Sequence, residues 1–312
     1  MAINVNTVYQ TVLLILNKEQ RGYMTPVEFN KIGGQVQLEI FEKYAEDMNQ
    51  QLRVPQIDLD YSDRQINVDE KLSIFKEIDT ATYTISGHQI PFQYSGNSST
   101  TQSWTSTTNQ LTYPLIGDSI SFAAKNAISN VFVDEIQYSP DQYIISGGNL
   151  ILNGTPPQAG TTVVINLYSK QFYRLGTVIY SAGGTLPIQE LERVGSSELY
   201  HLLSSNLTKP TTKYPIYTYK NNYINVYPQS IDFGISVNYL RKPIPPIWGM
   251  DTSVTTQYTF QASSSMNFEL HSSEQTELIL KILLYAGVVI RDPEIVKVAA
   301  SQVQQQEINQ KS

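Results

Sequence analysis

Cysteine is absent from this chain of 312 residues. Disulfide bonds, cysteine-ligated zinc sites and thiol chemistry are therefore excluded. Histidine is almost as scarce, and His88, His201 and His271 lie in unrelated sequence contexts. A metal site needs two or more convergent ligands at a usable spacing, which these histidines do not provide. We therefore expect no metal site and no bound cofactor.

Long apolar runs are also missing. The longest apolar stretches, at 12–16 and 286–290, are far too short to span a bilayer. The first residues, 1–4, lack the basic region with which a signal peptide begins. We therefore expect a soluble protein that is made in the cytoplasm and has no membrane partner.

No catalytic motif is recognisable. The glycine pairs that begin at positions 33, 147 and 183 match neither a dinucleotide-binding fingerprint nor a phosphate-binding loop, and no GxSxG nucleophile elbow occurs. Asp134 and Glu135 are adjacent in a predicted strand, so their side chains should point to opposite faces and not form an acid–base pair. We predict that the chain is not an enzyme and has no catalytic residues.

Charge is sparse and slightly negative. Charged residues make up 16% of the chain and the net charge is −7, which does not favour non-specific binding of nucleic acid. Neutral polar residues and 21 tyrosines take the place of charged ones. Tyrosine buries a large ring and keeps its hydroxyl in water, so it suits contacts between subunits, although it also suits ordinary strands.

Both ends of the chain carry helical patterns. Apolar residues recur at helical spacing over 6–21. Thr25 and Glu28 form a capping box for a second helix, which extends to about residue 51. Gly33–Gly34 within it indicates close approach by another helix, or a mild kink. Further helices are predicted over 68–75, 188–205, 273–289 (with a capping box of Ser272 and Gln275) and 294–308.

The middle of the chain changes to an alternating pattern. Strands are predicted over 82–85, 90–94, 130–137, 142–145, 150–152, 161–168, 216–219, 223–227 and 235–240. The Ser/Thr-rich run 96–108 is predicted to be an exposed loop, in which Trp104 either anchors a contact or folds under the loop. The proline-rich stretch 241–248 is predicted to be stiff and extended.

These elements predict an α+β fold, with helical N- and C-terminal segments, an inserted antiparallel β domain and a second small β unit. The segments are an N-terminal helical segment (1–78), the inserted β domain (79–172), a helix with a β-hairpin unit (173–270) and the C-terminal helices (271–312).

Several stretches resemble phage tail proteins. VNTVYQ (5–10), NKEQRGY (17–23), TPVEFN (25–30) and the helix QLEIFEKY (37–44) resemble tail ring proteins of crAss-like phages. Residues 214–243, with YPIY at the start and NYLRKP at the end, resemble head-to-tail adaptors (connectors) of short-tailed phages, and the helix 274–292 fits the same group. The resemblance covers both ends of the chain and most of residues 187–295.

The resemblance implies a structural role without catalytic residues. Such proteins form a ring, commonly a dodecamer, below the portal vertex and around the channel through which DNA leaves. Helices line or brace the channel, β elements contact other tail proteins, and the C-terminal helix, here 273–289, docks on the portal or the adjacent ring. The implied partners are copies of the chain itself, the portal protein and neighbouring tail proteins. Double-stranded DNA would pass through the lumen without specific binding.

Candidate residues for subunit or portal contacts follow from this hypothesis: Glu274, Leu278, Ile282, Tyr285, Phe29, Phe41, Tyr44, Trp104 and Gln304. Gln304 belongs to a glutamine-rich last helix, which either orders against a partner or is a frayed terminus.

The resemblance thus implies a structural virion protein, a tail ring or head-to-tail adaptor that is assembled in the host cytoplasm and located in the tail. The alternative is a receptor- or glycan-binding tail module, which the β-rich and tyrosine-rich middle favours. A tail-associated hydrolase is a third hypothesis, but the sequence supplies no acid pair or nucleophile set for it.

Overall fold

The computed structural model describes residues 3–18, 23–51, 64–89, 99–119, 127–181, 188–220, 223–250, 258–289, 301, 302, 304 and 305. These residues form five α-helices and sixteen strands, which pair almost entirely antiparallel. The predicted α+β class is confirmed. The predicted strand 90–94 lies outside the described residues.

The helices are α1 (Val5–Lys18), α2 (Pro26–Gln51), α3 (Arg64–Ser73), α4 (Ser196–Ser204) and α5 (Gln275–Val289). The capping box of α2 is formed as predicted. The Glu28 amide donates to Thr25 Oγ1 at 3.3 Å, and the Thr25 amide donates to Glu28 Oε2 at 2.9 Å. Two backbone donors that the helix itself cannot satisfy thereby find partners.

The strands are β1 (Lys76–Thr80), β2 (Thr82–Thr84), β3 (Gly87–Gln89), β4 (Ser99–Thr105), β5 (Thr112–Pro114), β6 (Ile128–Val133), β7 (Ile136–Tyr138), β8 (Tyr143–Ser146), β9 (Asn149–Leu152), β10 (Thr162–Tyr168), β11 (Phe172–Tyr180), β12 (Gln189–Glu190), β13 (Glu192–Arg193), β14 (Ile216–Lys220), β15 (Tyr223–Tyr227) and β16 (Ile235–Arg241). The hairpin of β14 and β15 is confirmed. β11 pairs with β16 but has no counterpart among the predicted strands.

Contacts divide the chain into two compact units. The larger unit combines residues 1–74, 99–168 and 243–312, and the smaller unit combines 75–98 and 169–242. Each unit therefore joins segments that are far apart in the sequence, whereas the predicted segmentation is a division into consecutive stretches.

In the larger unit, α5 packs against α1 and α2. Its side chains at Leu278, Ile282 and Ala286 are completely buried, as are Val12 of α1 and Ile40 of α2. Apolar residues three and four positions apart form one face of a helix, so this spacing lets the helices share a core. α5 is thus a central element of the unit.

The β part of the larger unit consists of two antiparallel sheets, with strand orders β4-β10-β6-β7 and β5-β9-β8. Val163, Ile165 and Leu167 alternate along β10 and are fully buried. The predicted turn between β8 and β9 is confirmed: Gly147 and Gly148 have φ of 57° and 75°, and a two-residue hairpin turn of type I′ requires positive φ at both positions.

The prediction of an exposed loop over 96–108 is wrong for residues 99–105, while residues 96–98 lie outside the described residues. Residues 99–105 form β4, which pairs with β10 along its whole length. The Thr101 hydroxyl donates to Asn166 Oδ1 at 2.7 Å, and the Trp104 ring lies 5.5 Å from that of Tyr113. Threonine fits the pleated surface of a strand well, so the polar composition of this run concealed its β structure.

The proline-rich segment lies in extended form along α2. A Cβ at Gly33 would lie 3.2 Å from the Phe268 ring and 3.5 Å from Pro246. The close approach predicted from Gly33–Gly34 therefore exists, but the approaching groups are Phe268 and the proline-rich segment instead of another helix.

Two amide side chains of α2 hold this segment in place. Gln37 Nε2 donates to the Ile244 carbonyl at 2.6 Å, and its Oε1 accepts from the Glu269 amide at 2.9 Å. Asn30 Oδ1 accepts from the Trp248 amide at 2.7 Å. Asn30 and Gln37 are seven residues apart, so both lie on the same face of the helix.

The smaller unit contains a four-stranded sheet, β1-β16-β11-β12, and a five-stranded sheet, β13-β14-β15-β3-β2. Its core includes Val178, Ile224, Ile235 and Val237, all without exposed surface. α4 packs onto this unit through Leu199.

The predicted helix over 188–205 is only half correct, since α4 begins at Ser196. Residues 189–190 pair with β11, and residues 192–193 pair with β14. Pairing with these distant strands overrides the local helical pattern, which sequence periodicity alone does not reveal.

Candidate functional site

Charged and tyrosine side chains of the larger unit meet where α2 packs against α3 and against α5. We call this cluster the helix junction. Its members are Glu39, Lys43, Tyr44, Lys71, Glu274, Glu277, Lys281 and Tyr285. Three of the predicted contact residues, Glu274, Tyr44 and Tyr285, thus come together here.

Lysines and glutamates alternate through the helix junction. Lys71 Nζ lies 2.6 Å from Glu274 Oε1, and Lys43 Nζ lies 3.3 Å from Glu277 Oε1. Lys281 Nζ lies 2.7 Å from Glu39 Oε1 and 3.7 Å from Glu277 Oε1. The side chains of Glu277 and Lys281 are each only 5% exposed, so this part of the cluster is shielded from solvent.

The junction also changes the proton affinity of its members. Burial by itself raises the pKa of the Glu274 carboxyl, but Lys71, Tyr44 and Ser273 together lower it below its ordinary value. Burial and the neighbouring Glu274 raise the pKa of Tyr44. Burial and Glu39 raise the pKa of Tyr285.

These shifts fit a structural brace better than an acid–base site. Glu274 remains ionised near neutral pH because its pKa is lowered, so it is not a proton donor there. Each of the three glutamates lies within ion-pair distance of a lysine. The junction therefore fixes α5 against α2 and α3.

Four predicted contact residues belong to the core. Leu278, Ile282, Phe29 and Phe41 have no exposed surface in the chain itself. These apolar side chains pack within the chain on buried faces, and their assignment to a subunit or portal interface stays a prediction. Glu274 and Tyr44, at 4% and 5%, are almost as buried.

The remaining predicted contact residues keep some exposure. Tyr285 is 38% exposed, Trp104 is half-buried against Tyr113, and Gln304 is exposed. Their role as contact residues stays a prediction. Of the predicted helix 294–308, residues 301, 302, 304 and 305 are helical, and the others lie outside the described residues.

The predicted capping box of Ser272 and Gln275 is replaced by a different cap. Residues 272–274 form a short 3₁₀ turn before α5. His271 is the N-cap, and its Nδ1 accepts from the Ser273 amide at 3.3 Å. A histidine ring can accept such a bond through its unprotonated nitrogen, but the usual capping pattern does not include it.

Three large side chains within the stretch 200–214 of the smaller unit are strongly exposed. Tyr200 of α4 is 73% exposed, Leu207 is 95% exposed and Tyr214 is 70% exposed. The inward face of α4 carries Leu199 instead. We call Tyr200, Leu207 and Tyr214 the apolar patch. Sequence analysis missed it, although Tyr200 lies off the apolar stripe of its helix, which is the signal that could have identified it.

The larger unit exposes a second kind of surface, an aromatic pair. The rings of Tyr23 and Tyr258 lie nearly parallel, at 11° and with centroids 6.4 Å apart. Both side chains are about half exposed, as is Val27. Parallel exposed tyrosines offer a large rigid contact area with polar hydroxyls, which is the chemistry that protein interfaces favour.

A pocket of about 270 Å³ lies in the β part of the larger unit. One wall is formed by one face of β6, including Asn130 and Phe132, and the other by residues 260–269, which we call the crossing arm. The crossing arm is tied to the sheet by two residues: Asn166 Nδ2 donates to the Ser263 carbonyl at 2.6 Å, and Glu135 accepts from the Ser263 amide at 2.8 Å.

The predicted strand geometry of Asp134 and Glu135 is also wrong. The two residues form the turn between β6 and β7, with φ of 53° and 63°. Their side chains therefore do not alternate across a strand. The Glu135 carboxylate instead binds Ser263, as the amide bond above and a 2.6 Å bond from the Ser263 hydroxyl show.

Among the residues that the structure describes, no group of three or more His, Asp or Glu side chains could hold a metal ion. His88 is buried, burial lowers its pKa, and its Nε2 lies 3.1 Å from the Ile231 carbonyl. No described helix is both long and apolar enough to cross a membrane. In comparisons with known proteins, no family model and no curated protein matches this chain.

Proposed function

We propose that this chain is a structural virion protein, a subunit of a tail ring or head-to-tail adaptor of a short-tailed phage. Copies of it close into a ring, twelve-fold as in the proteins it resembles, that extends the portal channel and docks neighbouring tail proteins. The observation that carries the proposal is the apolar patch of the smaller unit.

The apolar patch is costly unless something covers it. Each large apolar side chain gains about 1.5–3 kcal/mol when it moves from water into a contact. Tyr200, Leu207 and Tyr214 come from one continuous stretch, and all three are at least 70% exposed. We infer that these three side chains form one contact surface, because a large contiguous apolar patch on a protein marks an interaction site.

A closed ring also needs two different contact surfaces on each subunit, because each copy meets its neighbours through unlike patches. The apolar patch on the smaller unit and the aromatic pair on the larger unit differ in chemistry as this requires. Their presence supports heterologous contacts between copies.

The part played by α5 follows from its burial. Its apolar face packs within the chain and the helix junction holds its charged side chains, so that face is not the docking surface. We assign α5 the role of a brace, and docking to the portal or an adjacent ring falls to surfaces that remain exposed, such as Tyr285.

The net charge of −7 supports passage of DNA without retention. Binding of DNA without sequence preference depends on lysine and arginine contacts to phosphates, and an acidic protein supplies few of them.

Cross-linking mass spectrometry tests the ring directly. A mixture of ¹⁴N- and ¹⁵N-labelled chains is combined with the other tail proteins and treated with a lysine-reactive reagent. Lys209 and Lys213 are exposed, and both lie in the sequence between Leu207 and Tyr214. Cross-links at these lysines therefore report on contacts of the apolar patch. Links of these lysines that carry both isotope labels are expected, together with links from this chain to the portal.

Two results would count against the proposal. Links at Lys209 and Lys213 confined to one isotope label would show that the patch does not join copies. Links only to peripheral fibre proteins would place the chain outside the channel. Ring-shaped particles in electron micrographs of the same mixture provide an independent check of closure.

A further inference from the structure

We propose that the pocket beside β6 binds one pyranose ring of a neutral glycan. All of its lining residues belong to the larger unit of a single chain. The proposal therefore does not depend on ring formation, and either idea can fail while the other stands.

The first argument is that the pocket presents hydrogen-bond donors in fixed positions. Asn4 Oδ1 accepts from the Asn6 and Thr7 amides at 2.9 and 3.0 Å, and Asn267 Oδ1 accepts from the Val5 amide at 3.0 Å. The side-chain oxygens of Asn4 and Asn267 therefore already accept hydrogen bonds from the first residues of α1. The Nδ2 groups of Asn4 and Asn267, both of which line the pocket, are left to donate to a ligand.

The second argument is that the pocket lining also presents hydrogen-bond acceptors. Asn130 donates through Nδ2 to the sulfur of Met266 at 3.0 Å, which leaves its Oδ1 as an acceptor. The Glu135 carboxylate and the exposed Gln137 amide also line the pocket, whereas Glu269 Oε2 accepts from the Ile244 amide at 2.7 Å. A sugar hydroxyl donates and accepts at once, so a mixed set of amides and carboxylates matches it.

The third argument concerns the apolar part of the lining. Phe132 and Phe260 line the pocket, and the Phe260 ring packs against Trp248, with ring centroids 5.6 Å apart. One face of a pyranose ring presents C–H groups that pack on an aromatic surface, while its edge presents hydroxyls. The pocket combines both kinds of surface.

Charge selects the class of sugar. The lining residues include two glutamates and no lysine or arginine. The Glu135 carboxylate repels anionic ligands such as phosphates and acidic sugars. A neutral sugar can instead donate a hydroxyl to that carboxylate, and such charge-assisted bonds are among the stronger ones.

Ligand-observed NMR tests the site on the full chain. The methyl glycosides of glucose, galactose, mannose and N-acetylglucosamine are offered singly at about 10 mM, where a weak site with a Kd of about 1 mM is largely filled. Saturation transfer to the ring protons of at least one glycoside is expected. N-acetylglycine methylamide serves as a small peptide-like probe under the same conditions.

Variants locate the binding. Gln137→Ala removes an exposed lining amide, and Asn130→Ala removes the proposed acceptor of β6. Each should weaken binding of the glycoside about fivefold to tenfold, the effect of one hydrogen bond. Gln158→Ala is the matched control, since Gln158 is exposed in the same β part and lies outside the pocket.

The sugar assignment is overturned if no glycoside shows saturation transfer. It is also overturned if only the peptide-like probe responds, or if Gln137→Ala binds the glycoside as the wild-type chain does. Because Gln137 is exposed, its variant is expected to fold normally even if Asn130→Ala does not.

Discussion

Glu274 shows how one buried carboxyl depends on its neighbours. The side chain is 5% exposed and lies 2.6 Å from Lys71 Nζ, which is 27% exposed. Burial opposes the charged form and the Lys71 ion pair supports it, with a net lowering of the pKa. A lowered folded-state pKa means that the folded chain binds this proton less readily than the unfolded chain, so the group stabilises the fold above its ordinary pKa.

We therefore expect Glu274→Gln to lower the free energy of unfolding at pH 7 by about 2 kcal/mol, since it leaves Lys71 without its carboxylate. The stabilisation by Glu274 is present above its ordinary pKa of 4.5 and is lost as the pH falls through the lowered folded-state value. The difference between the variant and the wild type should therefore shrink on acidification. Urea denaturation of the variant and the wild type at a series of pH values measures this difference in the free energy of unfolding.

Glu46→Gln is the matched control for this experiment. Glu46 is exposed on α2, outside the helix junction, and its substitution should change stability by less than about 0.5 kcal/mol. An equal loss in both variants, or a difference for Glu274→Gln that does not change with pH, would contradict the assigned role of the Lys71 pair.

The two adjacent glycines of α2 make a second residue-scale comparison. A Cβ at Gly33 would lie 3.2 Å from the Phe268 ring, whereas the nearest atom to a Cβ at Gly34 would be Pro245 Cβ at 3.8 Å. Alanine stabilises a helix interior by about 1 kcal/mol relative to glycine. An alanine at position 34 should gain this helix stability without a clash. An alanine at position 33 should lose much of the same gain, because its Cβ would crowd the buried Phe268 ring.

We expect Gly34→Ala to raise the free energy of unfolding by about 0.5–1 kcal/mol and Gly33→Ala to be less stable than Gly34→Ala by at least about 1 kcal/mol. Chemical denaturation of the two variants beside the wild-type chain measures both. Equal stabilisation by the two alanines would show that Phe268 and Pro246 do not approach Gly33 as closely as the structure indicates.

At the scale of elements, helices with complete local signals were the most predictable. α1 and α2 have regular apolar spacing, and α2 adds the capping box at Thr25. These signals act over a few residues, so the sequence contains them in full. The α+β class followed from the same reasoning.

Elements that depend on distant pairing could not be predicted. β4 has few apolar residues and exists because β10 pairs with it, and β12 and β13 interrupt an apparent helix because they pair with β11 and β14. The pocket is less predictable still, since its lining extends from Asn4 to Glu269. The predicted contact residues show a related difficulty: apolar periodicity marks a buried face equally well in a core and in an interface.

The contact between α2 and the proline-rich segment gives the prediction at this scale. Gln37 is 1% exposed and binds both the Ile244 carbonyl and the Glu269 amide. Gln37→Ala should lower the free energy of unfolding by about 2–4 kcal/mol, because both buried backbone groups lose their partner. Gln35→Ala, at an exposed position of the same helix, should change it by less than about 0.5 kcal/mol.

Thermal and urea unfolding of the two variants measure this difference. If Gln37→Ala and Gln35→Ala unfold alike, the glutamine does not hold the segment on α2, and the extended path would have to be attributed to the prolines alone.

At the scale of the whole molecule, the stabilising interactions and the proposed assembly surface lie on different side chains. The Glu277–Lys281 pair of the helix junction and the Gln37 bonds use buried groups, whereas the apolar patch uses side chains that the fold leaves in solvent. Changes in the patch should therefore affect association without affecting the fold. This separation makes the assembly hypothesis testable by substitution.

We expect the triple variant Tyr200→Ser, Leu207→Ser, Tyr214→Ser to unfold within about 1 kcal/mol of the wild-type chain, since exposed side chains contribute little to folding. Its association with other copies should weaken by at least about 100-fold, because truncating even one or two interface anchors costs about 2–4 kcal/mol. Mass photometry and analytical ultracentrifugation of the chain, alone and with the other tail proteins, measure association.

The double variant Ile116→Ser, Ile144→Ser provides the control, because these isoleucines are 67% and 53% exposed but lie outside the apolar patch. Simple removal of exposed apolar surface would reduce non-specific association in both variants to a similar degree. If the ring contact is specific, only the triple variant should lose association between copies. Rings that form equally well from the triple variant would remove the apolar patch from the assembly, and with it the main structural support for the proposed function.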